Sequence, residues 1–210
     1  MRTLFARVAA AMAAMAALAA LSGCISLLPK EKPVQLYRFG IETPQPAATA
    51  NISARVTMRA APTSFQRAAA ADLILTVSGD QTAYLGGVRW VTDARDLFDA
   101  AVTRAFQGTP GPARLLARGE PAAADYVLKL DVRLFEVRYD RGLGTRPTVV
   151  VEVYAALVGH KQNTDGVSRV FHAEAPASSN AVHAIAAAFD SAVGTVLGEI
   201  VHWVEATATA

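Results

Sequence analysis

Two long runs of alternating residues, Asp125–Tyr139 and Thr148–Val158, narrow most sharply what this chain can fold into. Successive side chains on a strand point to opposite faces, so a period of two over that length marks half-buried strands rather than helices. In the first run Leu128, Leu130, Val132 and Leu134 share one face, and Phe135, Val137 and Tyr139 continue in the opposite phase. A change of phase by one residue is what a β-bulge produces, and one is predicted near Leu134 and Phe135. In the second run Val149, Val151, Val153, Ala155 and Leu157 share a face. The loop Arg141-Gly142-Leu143-Gly144-Thr145-Arg146-Pro147 joins the two as a long hairpin. Beyond the polar turn His160–Gly166, Ser168–Glu174 adds a further antiparallel strand.

Shorter strands are expected at Val34–Phe39, Ile52–Met58 and Arg114–Arg118, with a Pro-bearing loop over Gly40–Ala50. Leu73–Val77 and Gln81–Leu85 read as the arms of a hairpin around Ser78-Gly79-Asp80. Two stretches change to a helical period. From Thr92 to Phe106, residues Ala94, Leu97, Phe98, Ala101, Val102, Ala105 and Phe106 form one stripe, with Thr92 as the expected cap and Asp93 and Asp96 suited to the positive end of the dipole. From Ser179 to Val204 the stripe is Val182, Ile185, Phe189, Val193, Val196, Ile200 and Val204, which reads as a core face. The expected class is therefore α+β, a mainly antiparallel sheet with two helices packed on one face. The domain is expected over residues 34–205, with 206–210 as a frayed tail.

Residues 1–23 differ in composition from everything after them. Arg2 and Arg7 are their only charges, and the apolar run Val8–Leu21 follows. That run is 14 residues, short of the roughly 20 that a membrane-spanning helix needs, so it reads as an export signal. Leu21-Ser22-Gly23-Cys24 then resembles the lipobox of bacterial lipoproteins. The resemblance implies a diacylglyceryl thioether on Cys24, cleavage before it and an N-acyl chain on the new amine, which together give the chains that stable anchoring requires. Ile25 stands where an Asp would retain a lipoprotein in the inner membrane, so the expected place is the outer membrane with the domain facing the periplasm. Residues 24–33, with Pro29, Lys30, Glu31, Lys32 and Pro33, read as a tether. Loss of Arg2 and Arg7 takes two of the 20 basic residues and none of the 18 acidic ones, leaving a formal charge of zero. Nucleic-acid binding, which needs a clustered basic excess, is not expected.

Catalytic and metal signatures are sparse. The single cysteine excludes an intrachain disulfide framework. His160, His172, His183 and His202 form no H-x-x-x-H pair, and neither a nucleophile elbow nor a phosphate-binding loop is present. Gly142-Leu143-Gly144 lacks the third glycine of a dinucleotide fingerprint and joins two strands. Ser191, His183 and Asp190 are the residue types of a hydrolase triad but lie on one helix, with nothing to make an oxyanion hole. A non-enzyme without metal or cofactor, apart from the lipid on Cys24, is expected.

The unusual segment is Gln81–Asp93, which places Tyr84, Leu85 and Trp90 around Gly86 and Gly87 between a strand and a helix. Trp90 can wedge the start of the helix against the sheet. Alternatively Tyr84, Leu85, Arg89 and Trp90 can be contact groups for a partner, since aromatics and Arg are favoured at interfaces. Here the chain resembles the ABC-type transport auxiliary lipoproteins, in Tyr84, Trp90, Asp93 and the helix through Phe106. Other matches are Tyr37 and Phe39, Ala124-Asp125-Tyr126-Val127-Leu128, and Ala187-Ala188-Phe189-Asp190. The resemblance implies a non-catalytic component of an MCE-type lipid transport system. Its partners would be an MCE protein and, through it, an ABC permease and ATPase, and a homo-oligomer would match their symmetry. Two other readings stand beside it: a lipid carrier with an apolar cavity behind the small residues of the last helix, and a structural lipoprotein of another envelope machine.

Overall fold

The computed structural model describes residues 33–40, 56–109, 111–159 and 166–208. The export segment, Cys24 and the tether up to residue 32 lie outside the described residues, as do 41–50, the first part of the Ile52–Met58 run, the turn 160–165, and the last two residues. In chain order the elements are β1 (Gln35–Tyr37), β2 (Val56–Ala60), β3 (Ser64–Phe65), β4 (Leu75–Ser78), β5 (Gln81–Tyr84), β6 (Val88–Trp90), α1 (Ala94–Gly108), β7 (Ala113–Leu115), β8 (Tyr126–Arg138), β9 (Thr148–Gly159), β10 (Val167–Pro176) and α2 (Val182–Ala208).

The expected long hairpin is β8 with β9, antiparallel from Tyr126↔Gly159 to Arg138↔Thr148. Its register shifts between Val132 and Leu134, so the bulge sits one to two residues before the predicted position. The shift returns Phe135, Val137 and Tyr139 to the core face that Leu128, Leu130 and Val132 occupy, and all six are buried. Leu134 pairs with Glu152 and turns to the other face, unlike the sequence expectation. β10 then pairs with β9 along its whole length, from Val167↔Leu157 to Pro176↔Thr148.

The sheet is mixed, a correction to the mainly antiparallel one expected. Four of its seven strand pairings among the described residues are parallel. A strand has two edges, and the hairpin fills only one edge of β8. Along the other edge β2, β3 and β4 succeed one another in the same direction as β8, with Met58↔Tyr126, Ser64↔Asp131 and Thr76↔Val137 in register. Alternation encodes which face is buried and carries nothing about the direction of the neighbour. β4 and β5 form the predicted antiparallel hairpin, and β7 runs parallel to β2.

α1 buries Ala94, Phe98, Ala101, Val102 and Phe106, as its stripe requires. The expected cap does not form. Asp93 holds the N-cap position without a side-chain bond, because the first-turn amides are taken up elsewhere: Ala94 N–H by Ala71 O at 3.2 Å and Arg95 N–H by Ala70 O at 3.3 Å. These loop carbonyls satisfy donors that a capping side chain would otherwise serve. α2 is long and apolar enough to cross a membrane by length and composition. It nevertheless buries Ile185, Phe189, Val193, Val196, Ile200 and Val204 in the same core as β9 and β10, so it behaves as the principal core helix. It continues through Ala208, past the expected start of fraying at residue 206. Each fully buried aliphatic or aromatic side chain contributes about 1.5–3 kcal/mol, and this wide face is the largest single source of them.

Candidate functional site

The Gln81–Asp93 segment divides into a core part and a surface part. β5 returns along β4, and the chain turns at Gly87, whose φ of +74° lies in the left-handed region that glycine adopts without a Cβ clash. β6 then pairs in parallel with β1 as a separate two-stranded ribbon, Gln35↔Val88, Leu36↔Arg89 and Tyr37↔Trp90. That pairing is the feature the sequence concealed, since three residues are too short to declare a strand.

Trp90 is 1% exposed and sits among phenylalanines. Phe39 lies 5.0 Å away at 81° and Phe189 5.1 Å away at 90°, both edge-to-face, the arrangement that ring quadrupoles favour. Its indole Nε1 is buried with no hydrogen-bond acceptor among the described residues. Trp90 therefore wedges the sheet against the helices and does not itself face a partner.

The surface part is Tyr84, Leu85 and Arg89. Tyr84 is 48% exposed and its hydroxyl donates to Ala68 O at 3.1 Å. Leu85 is partly buried against the core, and its amide donates to Ile74 O at 3.0 Å. Arg89 is exposed and places Nη1 3.0 and 2.9 Å from the two carboxylate oxygens of Asp72. Asp72 also accepts the Trp90 amide through its backbone carbonyl at 2.7 Å, so one residue fixes both the buried and the exposed half of β6. Beside these residues lie three exposed apolar side chains that the sequence reading did not single out, Val34, Leu36 and Val91. The alternation in β1 was legible, but both phases were apolar, Val34 and Leu36 against Tyr37 and Phe39. Only the pairing with β6 decides which phase faces out.

The residues weighed as a triad have other roles. Asp190 accepts the Gly40 amide at 2.5 Å, His183 is exposed, and Ser191 lines an open hollow of about 300 Å³ with Glu174, Ala175, Ala184 and Ala188. Ala184 and Ala188, which line this hollow, are otherwise buried in the core, as is Ala192 one turn further along α2. His172 lies on the outer face of β10 between Glu152, 3.4 Å away, and Glu174, 3.2 Å away. Among the described residues no three His, Cys, Asp or Glu side chains come together as a metal site.

Comparison with known proteins adds to this geometry. The fold is similar to the crystal structure of protein XCC0632 from Xanthomonas campestris, described as a DUF330 family protein, with a TM-score of 0.69 and 27% identity over 85% of this chain and 97% of that one. It is also similar in fold to the hypothetical protein CT253 from Chlamydia trachomatis, with a TM-score of 0.53 and 12% identity over 72% of this chain and 96% of that one. No curated protein sequence matches the chain. The model of the ABC-type transport auxiliary lipoprotein component matches residues 37–201, from β1 into the last helix. Over nearly all of its folded part, then, the chain belongs to the ABC-type transport auxiliary lipoprotein family.

Proposed function

We propose that the protein is a non-catalytic lipoprotein of an MCE-type lipid transport system, anchored through Cys24 in the outer membrane and docking the transport assembly from the periplasmic face. The observation that carries this reading is the family match over residues 37–201. The lipobox Leu21–Cys24 supports it independently, because it lies outside the matched span. In this reading the partner is an MCE protein, itself joined to an ABC permease and ATPase. Tyr84 and Leu85 form the docking surface with Arg89 at its rim, and Trp90 holds that surface in shape from beneath. Arg89 is pre-positioned by Asp72, so a partner meets an ordered side chain and loses less conformational entropy in ordering it.

The test is a photo-crosslinking residue placed at Tyr84 in the protein expressed in its own membranes, followed by mass spectrometry of the captured species. Capture of an MCE protein supports docking. Capture of none, with phospholipid retained by the protein in native mass spectra, replaces docking with a carrier role. The intact mass of the extracted protein reports the anchor separately: Cys24 with diacylglyceryl and N-acyl groups is expected, and an unmodified thiol refutes it.

A further inference from the structure

We infer that the outward face of the β1–β6 ribbon rests on the lipid surface to which the chain is anchored. Leu36, Val34 and Val91 enter the headgroup region there, and Arg38 meets lipid phosphates. The inference rests on the reading of Cys24 as the attachment point and adds to it an orientation of the domain.

The ribbon has two unlike faces. Tyr37 and Phe39 of β1 and Val88 and Trp90 of β6 point inward and pack in the core, Phe39 and Trp90 each 1% exposed. The alternate positions point outward. Leu36 is 61% exposed, Val91 54% and Val34 49%. Leu36 pairs with Arg89, so Val91 lies on the neighbouring strand one outward position along, and the Val91 amide donates to Tyr37 O at 2.8 Å. Single exposed apolar residues are ordinary, whereas three large ones grouped on adjacent strands mark a surface that meets something apolar.

Chain connectivity favours lipid as that partner. Ten residues, 24–33, separate the lipobox cysteine from Val34, and fully extended they span at most about 35 Å. Val34, the first residue of the outward row, is therefore the nearest folded residue along the chain to the anchor. A tether this short raises the effective concentration of the bilayer at the ribbon, so a face too small to bind membranes alone engages one once anchored. The charges agree with this. Arg38 continues the outward row of β1 and has no ion-pair partner among the described residues. Arg89 is neutralised by Asp72 at 2.9 Å. The tether sequence adds Lys30 and Lys32 against Glu31. Apolar side chains flanked by basic ones are the composition that settles at a headgroup boundary.

The test is tryptophan placement in the protein extracted from membranes with its N-terminus as made. It is reconstituted into phosphatidylethanolamine–phosphatidylglycerol vesicles with plain or brominated acyl chains. Leu36→Trp and Val91→Trp report the face. Val170→Trp, at a 46% exposed valine on β10, is the control, and the unsubstituted protein supplies the background of Trp90 and Trp203. The expected result is a blue shift and the loss of about half of the added emission at 36 and 91 in brominated vesicles, with neither at 170, as a face seated about 5–10 Å into the boundary requires. Flotation with the vesicles but no bromine quenching at 36 and 91, or equal quenching at 170, overturns the orientation and leaves the anchor standing. Protection at 36 that needs the co-expressed transport proteins assigns the face to a protein and also overturns it. Failure to float overturns both the anchor and the orientation.

Discussion

The side-chain carbonyl of Gln66 accepts the backbone N–H of Phe135 at 3.0 Å, just past the point where β8 shifts register. The same carboxamide donates to Glu136 Oε2 at 3.4 Å, and Glu136 also accepts from Arg138 Nε at 2.9 Å. The residue after β3 thus stitches the irregular part of the central strand. In Gln66→Ala the Phe135 amide loses its acceptor within the sheet, and a buried donor left unpaired costs about 1–3 kcal/mol. Urea unfolding is expected to show an unchanged slope and a lowered midpoint, the product of slope and midpoint shift giving that loss.

Gly40 links both helices to the end of β1. Its amide donates to Asp190 Oδ1 at 2.5 Å, its carbonyl accepts from Arg104 Nε at 2.8 Å, and its φ is +70°. A Cβ there would lie 2.6 Å from the Ala101 Cβ, whereas at Gly142, with φ +90°, it would meet nothing within 4 Å. Gly142→Ala should cost only the left-handed strain, about 1–2 kcal/mol. Gly40→Ala should cost that plus about 1–3 kcal/mol of overpacking. Equal losses in thermal melts would refute the steric account.

Trp90 and Tyr84 should separate stability from docking. Trp90→Ala removes the centre of the aromatic cluster and is expected to cost about 3–5 kcal/mol, while Trp90→Phe keeps most of the packing, deletes the unpartnered N–H and should cost less than about 1.5 kcal/mol. Tyr84→Ala is expected to leave the melting temperature within a few degrees of the parent and to lower partner capture. A Tyr84→Ala protein that melts far below the parent would place Tyr84 in the fold instead.

Glu120 provides a pH signature. Its carboxylate accepts from Arg114 Nη2 at 2.5 Å and from the Ala117 amide at 3.0 Å, and these two bonds, the Arg114 side chain first, hold it below its ordinary 4.5. A depressed carboxylate stabilises the fold above the pKa of the unfolded chain, and the stabilisation disappears as pH falls through the folded value. The stability difference between the parent and Glu120→Gln should therefore be constant above pH 4.5 and shrink in more acid solution. A difference that grows on acidification would reverse the sign of the assignment.

The sequence carried the hairpin, its bulge, the β4–β5 turn and both helix stripes, because each is a local pattern of burial. It misplaced Leu134 and the direction of the sheet. The bulge depends on where Gln66 reaches β8, and the parallel edge depends on how residues 56–78 lie along a strand that begins at residue 126. Such pairings between distant segments leave no periodic trace. Trp90 and Asp93 were visible as unusual residues, yet burial of the first and the unbonded cap of the second follow from Phe39, Phe189, Ala70 and Ala71, which belong to other parts of the chain. The exposed row Val34, Leu36 and Val91 was illegible for the same reason.

The parallel edge of β8 also fixes an order of events. β2, β3 and β4 all precede β8 in the chain and lie against it, so the first half of the protein has no central strand to pair with until residues 126–138 have emerged. Contacts of such long separation form late. A polypeptide built this way cannot close its sheet until the template strand has been made, whatever its earlier segments do.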